Sequence, residues 1–126
     1  MLIDHFTLLA VDFPRSKAFY TQALAPLRAR LVMEFEGVAG FGMNGKGELW
    51  LRATREPQRS MHIAFYAQTR NQVNEFHLAA LAAGGVDNGP PGLRPIYHAN
   101  YYGAYIVDPD GHNIEAVCHA PSWPIP

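Results

Sequence analysis

The run His5-Phe6-Thr7-Leu8-Leu9-Ala10 returns later in the chain as His62-Ile63-Ala64-Phe65-Tyr66-Ala67. Both runs open on histidine, close on alanine and carry apolar or β-branched residues between, as half-buried strands do. His5 lies seven residues before Asp12, and His62 lies seven before Thr69, each of these a residue that can cap a helix. The two histidines therefore hold equivalent points on equivalent strands, and the chain reads as an internal duplication.

Working outward from the first run, a strand from Leu2 to Val11 leads into Asp12-Phe13-Pro14, a cap with proline in the first turn. Tyr20, Ala23, Leu24 and Leu27 follow at helical spacing. After Pro26 come three strand-like runs, Ala29–Phe35, Val38–Met43 and Glu48–Ala53, parted by Glu36-Gly37 and by Asn44-Gly45-Lys46-Gly47. A polar stretch, Arg55–Arg59, separates this half from the next strand, Ser60–Ala67. Thr69 and Gln72 have capping-box spacing, and Val73, Phe76, His77, Ala80 and Leu81 form one helical stripe that stops at Gly84-Gly85. A short run near Val86 precedes a Gly/Pro-rich loop, Asn88–Pro95. A strand Tyr101–Val107, the turn Asp108-Pro109-Asp110-Gly111 and a last strand Asn113–Cys118 complete the pattern. The expected order is βαβββ over 1–54 and βαβββ again over 60–119, an α+β fold in a single domain of 1–126.

A chain of 126 residues with 48% hydrophobic content can bury a core without staples. Ten Lys+Arg against eleven Asp+Glu, with no basic run, argue against nucleic acid as a partner. No stretch approaches the ~20 apolar residues of a membrane span, and no export signal is visible, so a cytoplasmic setting without membrane contact is expected. Cys118 has no internal partner and lies among Ala116, Val117 and Ala120, where it reads as a small buried hydrophobe.

Alternation along a strand puts His5 on a face with Ile3, Thr7 and Leu9, and His62 on a face with Ala64 and Tyr66. Glu115 stands with Asn113 and Val117, while Ile114, Ala116 and Cys118 face the other way. An unpaired carboxylate on so apolar a strand is costly. Two neutral imidazoles and a carboxylate form a facial triad for a divalent first-row ion (Zn, Ni, Mn or Fe), with positions left for substrate or water.

With the passage VDFPRSKAFY at 11–20 and DPDGHNIE at 108–115, these features make the chain resemble the vicinal oxygen chelate superfamily over essentially its whole length. That group includes glyoxalases, bleomycin-resistance proteins, fosfomycin-resistance enzymes and extradiol dioxygenases. The resemblance implies a curved mixed sheet around a cleft, a metal held by His5, His62 and Glu115, and a homodimer that covers the exposed sheet edges. Lyase-type glyoxalases add a fourth ligand on the last strand of the first half. Trp50 falls at that point and cannot bind metal, while Glu48 shares its face nearer the turn. A three-ligand site is the expectation, with Glu48 open as a fourth.

Arg94–Tyr102 combines charge with aromatics, and it is expected to cover the cleft. Tyr101 and His98, alongside Glu115, are the catalytic candidates. Arg94 is expected to pair with an anionic group, and Trp50, Tyr66 and Tyr102 are expected to line the substrate pocket. His77 reads as a packing residue or a donor to a backbone carbonyl, His112 as solvated, and His119 as part of an irregular tail with Pro121, Pro124 and Pro126. The implied activity is that of a metal-dependent enzyme acting as a Lewis acid on a small oxygen-rich substrate by lyase, isomerase or thiol or oxygen addition chemistry. The other reading is a non-catalytic, metal-free protein of the bleomycin-resistance kind that sequesters a small ligand.

Overall fold

A computed structural model of the chain describes residues 3–121, so the expectations for Leu2, Pro124 and Pro126 lie outside it. The first half contains β1 (Phe6–Ala10), α1 (Phe13–Ala23), a 3-10 turn (Ala25–Leu27), β2 (Arg30–Phe35), β3 (Val38–Gly42) and β4 (Leu49–Ala53). The second contains β5 (His62–Tyr66), α2 (Arg70–Ala82), β6 (Val86–Leu93), β7 (Tyr102–Val107) and β8 (Asn113–Cys118). Each half is βαβββ, and the fold is α+β.

The two halves also share one topology. Strand order is β1-β4-β3-β2 in one four-stranded sheet and β5-β8-β7-β6 in the other. In both, the first strand runs parallel to the last and the remaining pairs are antiparallel. Thr7 pairs with Trp50 in the first sheet, and Ala64 pairs with Glu115 in the second. Because Thr7 and Ala64 each lie two residues beyond the matched histidine, Trp50 and Glu115 occupy equivalent positions.

Local chemistry sets the helix boundaries. The Asp12 carboxylate accepts from the Arg15 N–H at the start of α1, with Pro14 in the first turn, and Thr69 and Gln72 form both bonds of a capping box on α2. Pro26 ends the first helical stretch in a 3-10 turn, and Gly84 beyond α2 has φ +96°, a backbone conformation that favours glycine.

The expected loop after Val86 is instead part of strand β6, which runs through Pro90 and Pro91 to Leu93. Two features permit this. β6 is an edge strand, and its register against β7 shifts between Asp87 and Gly89 and again between Gly89 and Gly92, so the prolines need not donate to a regular ladder.

Leu8, Phe19, Tyr20 and Phe41 from the first half and Phe76, Ile106 and Ile114 from the second belong to one cluster of buried side chains. The turn Asp108–Gly111 joins the halves. Asp108 accepts from the buried Tyr20 hydroxyl, while Asp110 accepts from Ser16 Oγ at 2.7 Å and from the Val11 N–H at 3.0 Å. Burial, and then the adjacent Asp108, push the Tyr20 hydroxyl well above the ordinary tyrosine range.

His112 departs from the expected solvated position. It is fully buried, and its Nδ1 accepts from the Met61 N–H at 3.0 Å, immediately before β5. His77 is buried on α2, but its partner is a carboxylate, Asp87 Oδ1 at 2.9 Å, and not a backbone carbonyl. Among the described residues, no helix is long and apolar enough to cross a membrane.

Candidate functional site

Ile114, Ala116 and Cys118 point from β8 into the core, and Glu115 takes the opposite face, yet its side chain is only 1% exposed. A carboxylate so buried needs partners. His62 Nε2 lies 2.8 Å from Glu115 Oε1, and the Tyr101 hydroxyl donates to Oε2. Tyr105, the cross-strand neighbour of Glu115, packs its ring 6.2 Å from that of His62. Gly103 makes this crowding possible: a Cβ there would sit 3.3 Å from both Glu115 Oε2 and the Tyr101 ring.

Burial, followed by the Glu115 carboxylate, raises the Tyr101 hydroxyl far above the usual tyrosine value, and the same two causes raise Tyr105. Both remain neutral donors at ordinary pH. The buried Glu115 carboxyl is thus engaged at both oxygens, Oε1 by His62 Nε2 and Oε2 by the Tyr101 hydroxyl.

The donor chemistry suits a divalent ion as well. Two ligand atoms 2.8 Å apart match the ~90° edge of an octahedral site whose nitrogen and oxygen each sit ~2.0 Å from one ion. Among the described residues, no three His, Cys, Asp or Glu side chains come together as a metal-holding group. His5 Nδ1 is engaged with Asp4 Oδ1 at 2.6 Å, and Lys46 Nζ holds the same carboxylate at 2.5 Å. Hydrogen bonds from Lys46 first and His5 second lower the Asp4 pKa.

His5 and His62 nevertheless line one cleft of about 640 Å³, with Phe6, Leu27, Phe65 and Tyr66 among its walls, a size within the range of small-molecule pockets. Glu48 also reaches this cleft, but its Oε2 accepts from the Met43 N–H at 3.0 Å and so ties down the turn between β3 and β4.

The remaining expected residues are dispersed. Trp50 lies on the side of the first sheet turned from the core, bordering a smaller hollow with His5, Thr7 and Arg52, and its indole rests where Gly40 and Gly47 leave room. Tyr66 is 69% exposed at the large cleft. Arg94 donates to Pro90 O at 2.6 Å and lies over the Tyr105 ring. Tyr102 turns toward α2, where its hydroxyl donates to Asn74 Oδ1 and Arg70 stacks on its ring. His98 meets His119, Nε2 to Nδ1 at 2.8 Å, and makes no hydrogen bond to Glu115. Sequence reading missed Tyr105 and His119. Pairing β7 against β8 at Glu115 would have brought out Tyr105, whereas nothing in the sequence signals His119.

The fold is similar to that of a glyoxalase/bleomycin resistance protein from Albidiferax ferrireducens, with 27% identity and a TM-score of 0.82, covering 96% of this chain and 100% of that one. It is also similar to a glyoxalase-related enzyme from Fulvimarina pelagi, at 25% identity and a TM-score of 0.73, over 100% of this chain and 93% of that one. A glyoxalase/bleomycin resistance protein/dioxygenase family enzyme from Burkholderia phytofirmans, 18% identical, shares the fold with a TM-score of 0.70 over 93% of this chain and 98% of that one. No curated protein matches the chain. The sequence model of one family does match, over residues 2–116, and with the duplicated βαβββ architecture it establishes that this chain belongs to the Glyoxalase/Bleomycin resistance protein/Dioxygenase superfamily.

Proposed function

We propose that the chain is a metal-dependent enzyme acting on a small oxygen-rich substrate, with His62, Glu115 and His5 holding a divalent ion. The observation that carries this reading is the 2.8 Å approach of His62 Nε2 to Glu115 Oε1, which sets two donors at a ligand–ligand spacing on paired strands. His5 is the third donor because it holds the position of His62 in the duplicated half and borders the same cleft. A divalent ion bound there supplies Lewis acidity, by polarising a carbonyl or gripping adjacent oxygens.

The protein's own residues orient and shield that chemistry. Tyr101 fixes the rotation of the Glu115 carboxylate from the oxygen that His62 does not use, the supporting role that typically changes metal affinity by ~10–100-fold when removed. Tyr105 and Tyr66 present further hydroxyls, and Trp50 an apolar wall. The reading includes a cytoplasmic homodimer, since β2 and β6 leave sheet edges to be covered.

Elemental analysis of purified protein and calorimetric titration with Ni²⁺ or Zn²⁺ test the assignment. About one ion per chain is expected, with His62→Ala and Glu115→Gln abolishing binding and His5→Ala weakening it. Retention of full occupancy by Glu115→Gln would sink it.

One observation favours the second reading, a metal-free protein that sequesters a small ligand. Trp50 places a broad aromatic face at the position equivalent to Glu115. Under that reading His62→Ala and Glu115→Gln leave ligand capture intact, while Trp50→Ala removes it.

A further inference from the structure

The segment 94–101 touches β8 and its immediate extension at two points. One is the Tyr101 hydroxyl on Glu115, and the other is His98 on His119, the residue that follows the end of the strand. His119 lies four positions beyond Glu115, roughly 13 Å of extended chain at ~3.3 Å per residue. The loop therefore straddles this end of the site. It is folded on itself by Arg94 N–H to Tyr101 O at 2.8 Å, Tyr97 N–H to Arg94 O at 3.0 Å and Tyr101 N–H to His98 O at 3.2 Å.

The His98–His119 contact has a direction. A backbone N–H only donates, and that of Asn100 reaches His98 Nδ1 at 3.1 Å. Nδ1 is thus the acceptor, the neutral ring carries its proton on Nε2, and Nε2–H donates to His119 Nδ1. Tyr101 is wedged against this pair: its ring meets His98 edge-on at 5.5 Å and His119 edge-on at 5.4 Å, with Tyr97 packed against it at 4.7 Å. The two imidazoles lie 5.1 Å apart at 28° to each other, so they meet Tyr101 as one surface.

We propose that His98 and His119 are positioning residues, a directional imidazole latch that closes the 94–101 loop on β8 and thereby holds the Tyr101 hydroxyl on Glu115. Neither touches the carboxylate. Their influence on the site runs through the placement of the Tyr101 ring, and it rests on Glu115 being the site's carboxylate but not on the metal reading.

A mutant cycle in the metal-free protein, followed by thermal melts, tests this without any ligand. Tyr101→Phe is made in three backgrounds: the parent, His119→Phe, which keeps a ring but has no acceptor, and His119→Asn, whose side-chain oxygen stands near the place of Nδ1. The expected result is that the drop in Tm caused by Tyr101→Phe shrinks by at least half in His119→Phe and returns to its parental size in His119→Asn. His119 is exposed, so these backgrounds remain folded. An equal drop in all three backgrounds overturns the latch, and so does a His119→Asn background that behaves like His119→Phe. Imidazole ¹⁵N spectra provide a second check: His98 must appear as the Nε2–H tautomer in the parent, and an Nδ1–H tautomer overturns the proposal.

Discussion

Trp50→Glu offers the most demanding test of whether the two sheets share one site. The register places Trp50 opposite Thr7 as Glu115 is placed opposite Ala64, so the substitution puts a second carboxylate at the duplicated position. Removing the half-buried indole from its seat over Gly40 and Gly47 should cost about 1–3 kcal/mol in metal-free protein, below the ~3–5 kcal/mol of a fully buried tryptophan. A metal at a hundred times its Kd returns about 2.7 kcal/mol, and a tenfold tighter site adds about 1.4 kcal/mol more. For a domain of this size each kcal/mol moves Tm by roughly 3–5 °C. Trp50→Glu should therefore melt several degrees below the parent without metal, yet gain about 4–7 °C more than the parent when Ni²⁺ or Zn²⁺ is added to both at the same concentration. Differential scanning calorimetry with and without the ion reads both numbers. A metal response in Trp50→Glu no larger than the parental one refutes the shared site. If Glu48→Ala instead removes the parental response, the fourth ligand lies two residues nearer the turn.

Three further outcomes follow from particular contacts. Tyr20→Phe removes a buried hydroxyl donated to Asp108 and should cost about 1.5–3 kcal/mol in urea unfolding. Because the folded-state pKa of Tyr20 is raised, its contribution is fully present below the unfolded value near 10.0 and is lost as pH rises above it, so the parent should lose stability more steeply than Tyr20→Phe in the alkaline range. Gly103→Ala drives a methyl against Glu115 Oε2 and the Tyr101 ring and should weaken Zn²⁺ binding about tenfold by calorimetry, with a loss of stability near 1 kcal/mol; unchanged affinity would show that the carboxylate has room to move. Glu115→Gln keeps an acceptor for Tyr101 and should melt within a few degrees of the parent, so a collapsed fold would identify the charge itself as structural.

The duplication was legible because it is written twice: the histidine-led strands, the caps seven residues on, and the glycines that close α2 are local signals, and local signals survive in a single sequence. Strand β6 was not legible as a strand. Pro90 and Pro91 argue against pairing unless one knows that β6 lies at an edge and is bulged, and only the assembled sheet decides that. His112 was misread for a related reason. A histidine after a turn glycine looks solvated, but this turn folds back onto α1, and Asp108 accepts the His112 N–H at 2.8 Å while the ring serves Met61. The same docking gives the DPDG segment a structural duty, since both of its carboxylates are occupied by the first half of the chain. Of the candidate site, alternation assigns the strand faces of His62 and Glu115, and Tyr101 reads in the sequence as a hydroxyl on the segment expected to cover the cleft. The engagement of His5 with Asp4 was not foreseeable, because an adjacent acidic residue carries no signal of where its side chain will turn.

Comparison of the matched strand pairs shows how two copies of one plan reach different chemistry. In the first sheet Trp50 on β4 lies beside Gly40 on β3; in the second, Glu115 on β8 lies beside Tyr105 on β7. The aromatic ring has changed strands. Where it sits on β4, its neighbour must be glycine, since even a Cβ at position 40 would come within 2.6 Å of the indole, and no space remains for a polar group. Where the ring sits on β7, the neighbouring position on β8 is free for a carboxylate, and glycine is needed instead at 103, beneath Tyr101. In each pair one member is aromatic, and its neighbour is glycine where the ring lies across that position and glutamate where it does not. That arrangement gives one half of the duplicated fold an aromatic wall and the other a carboxylate at the equivalent position, opposite Thr7 in one sheet and opposite Ala64 in the other.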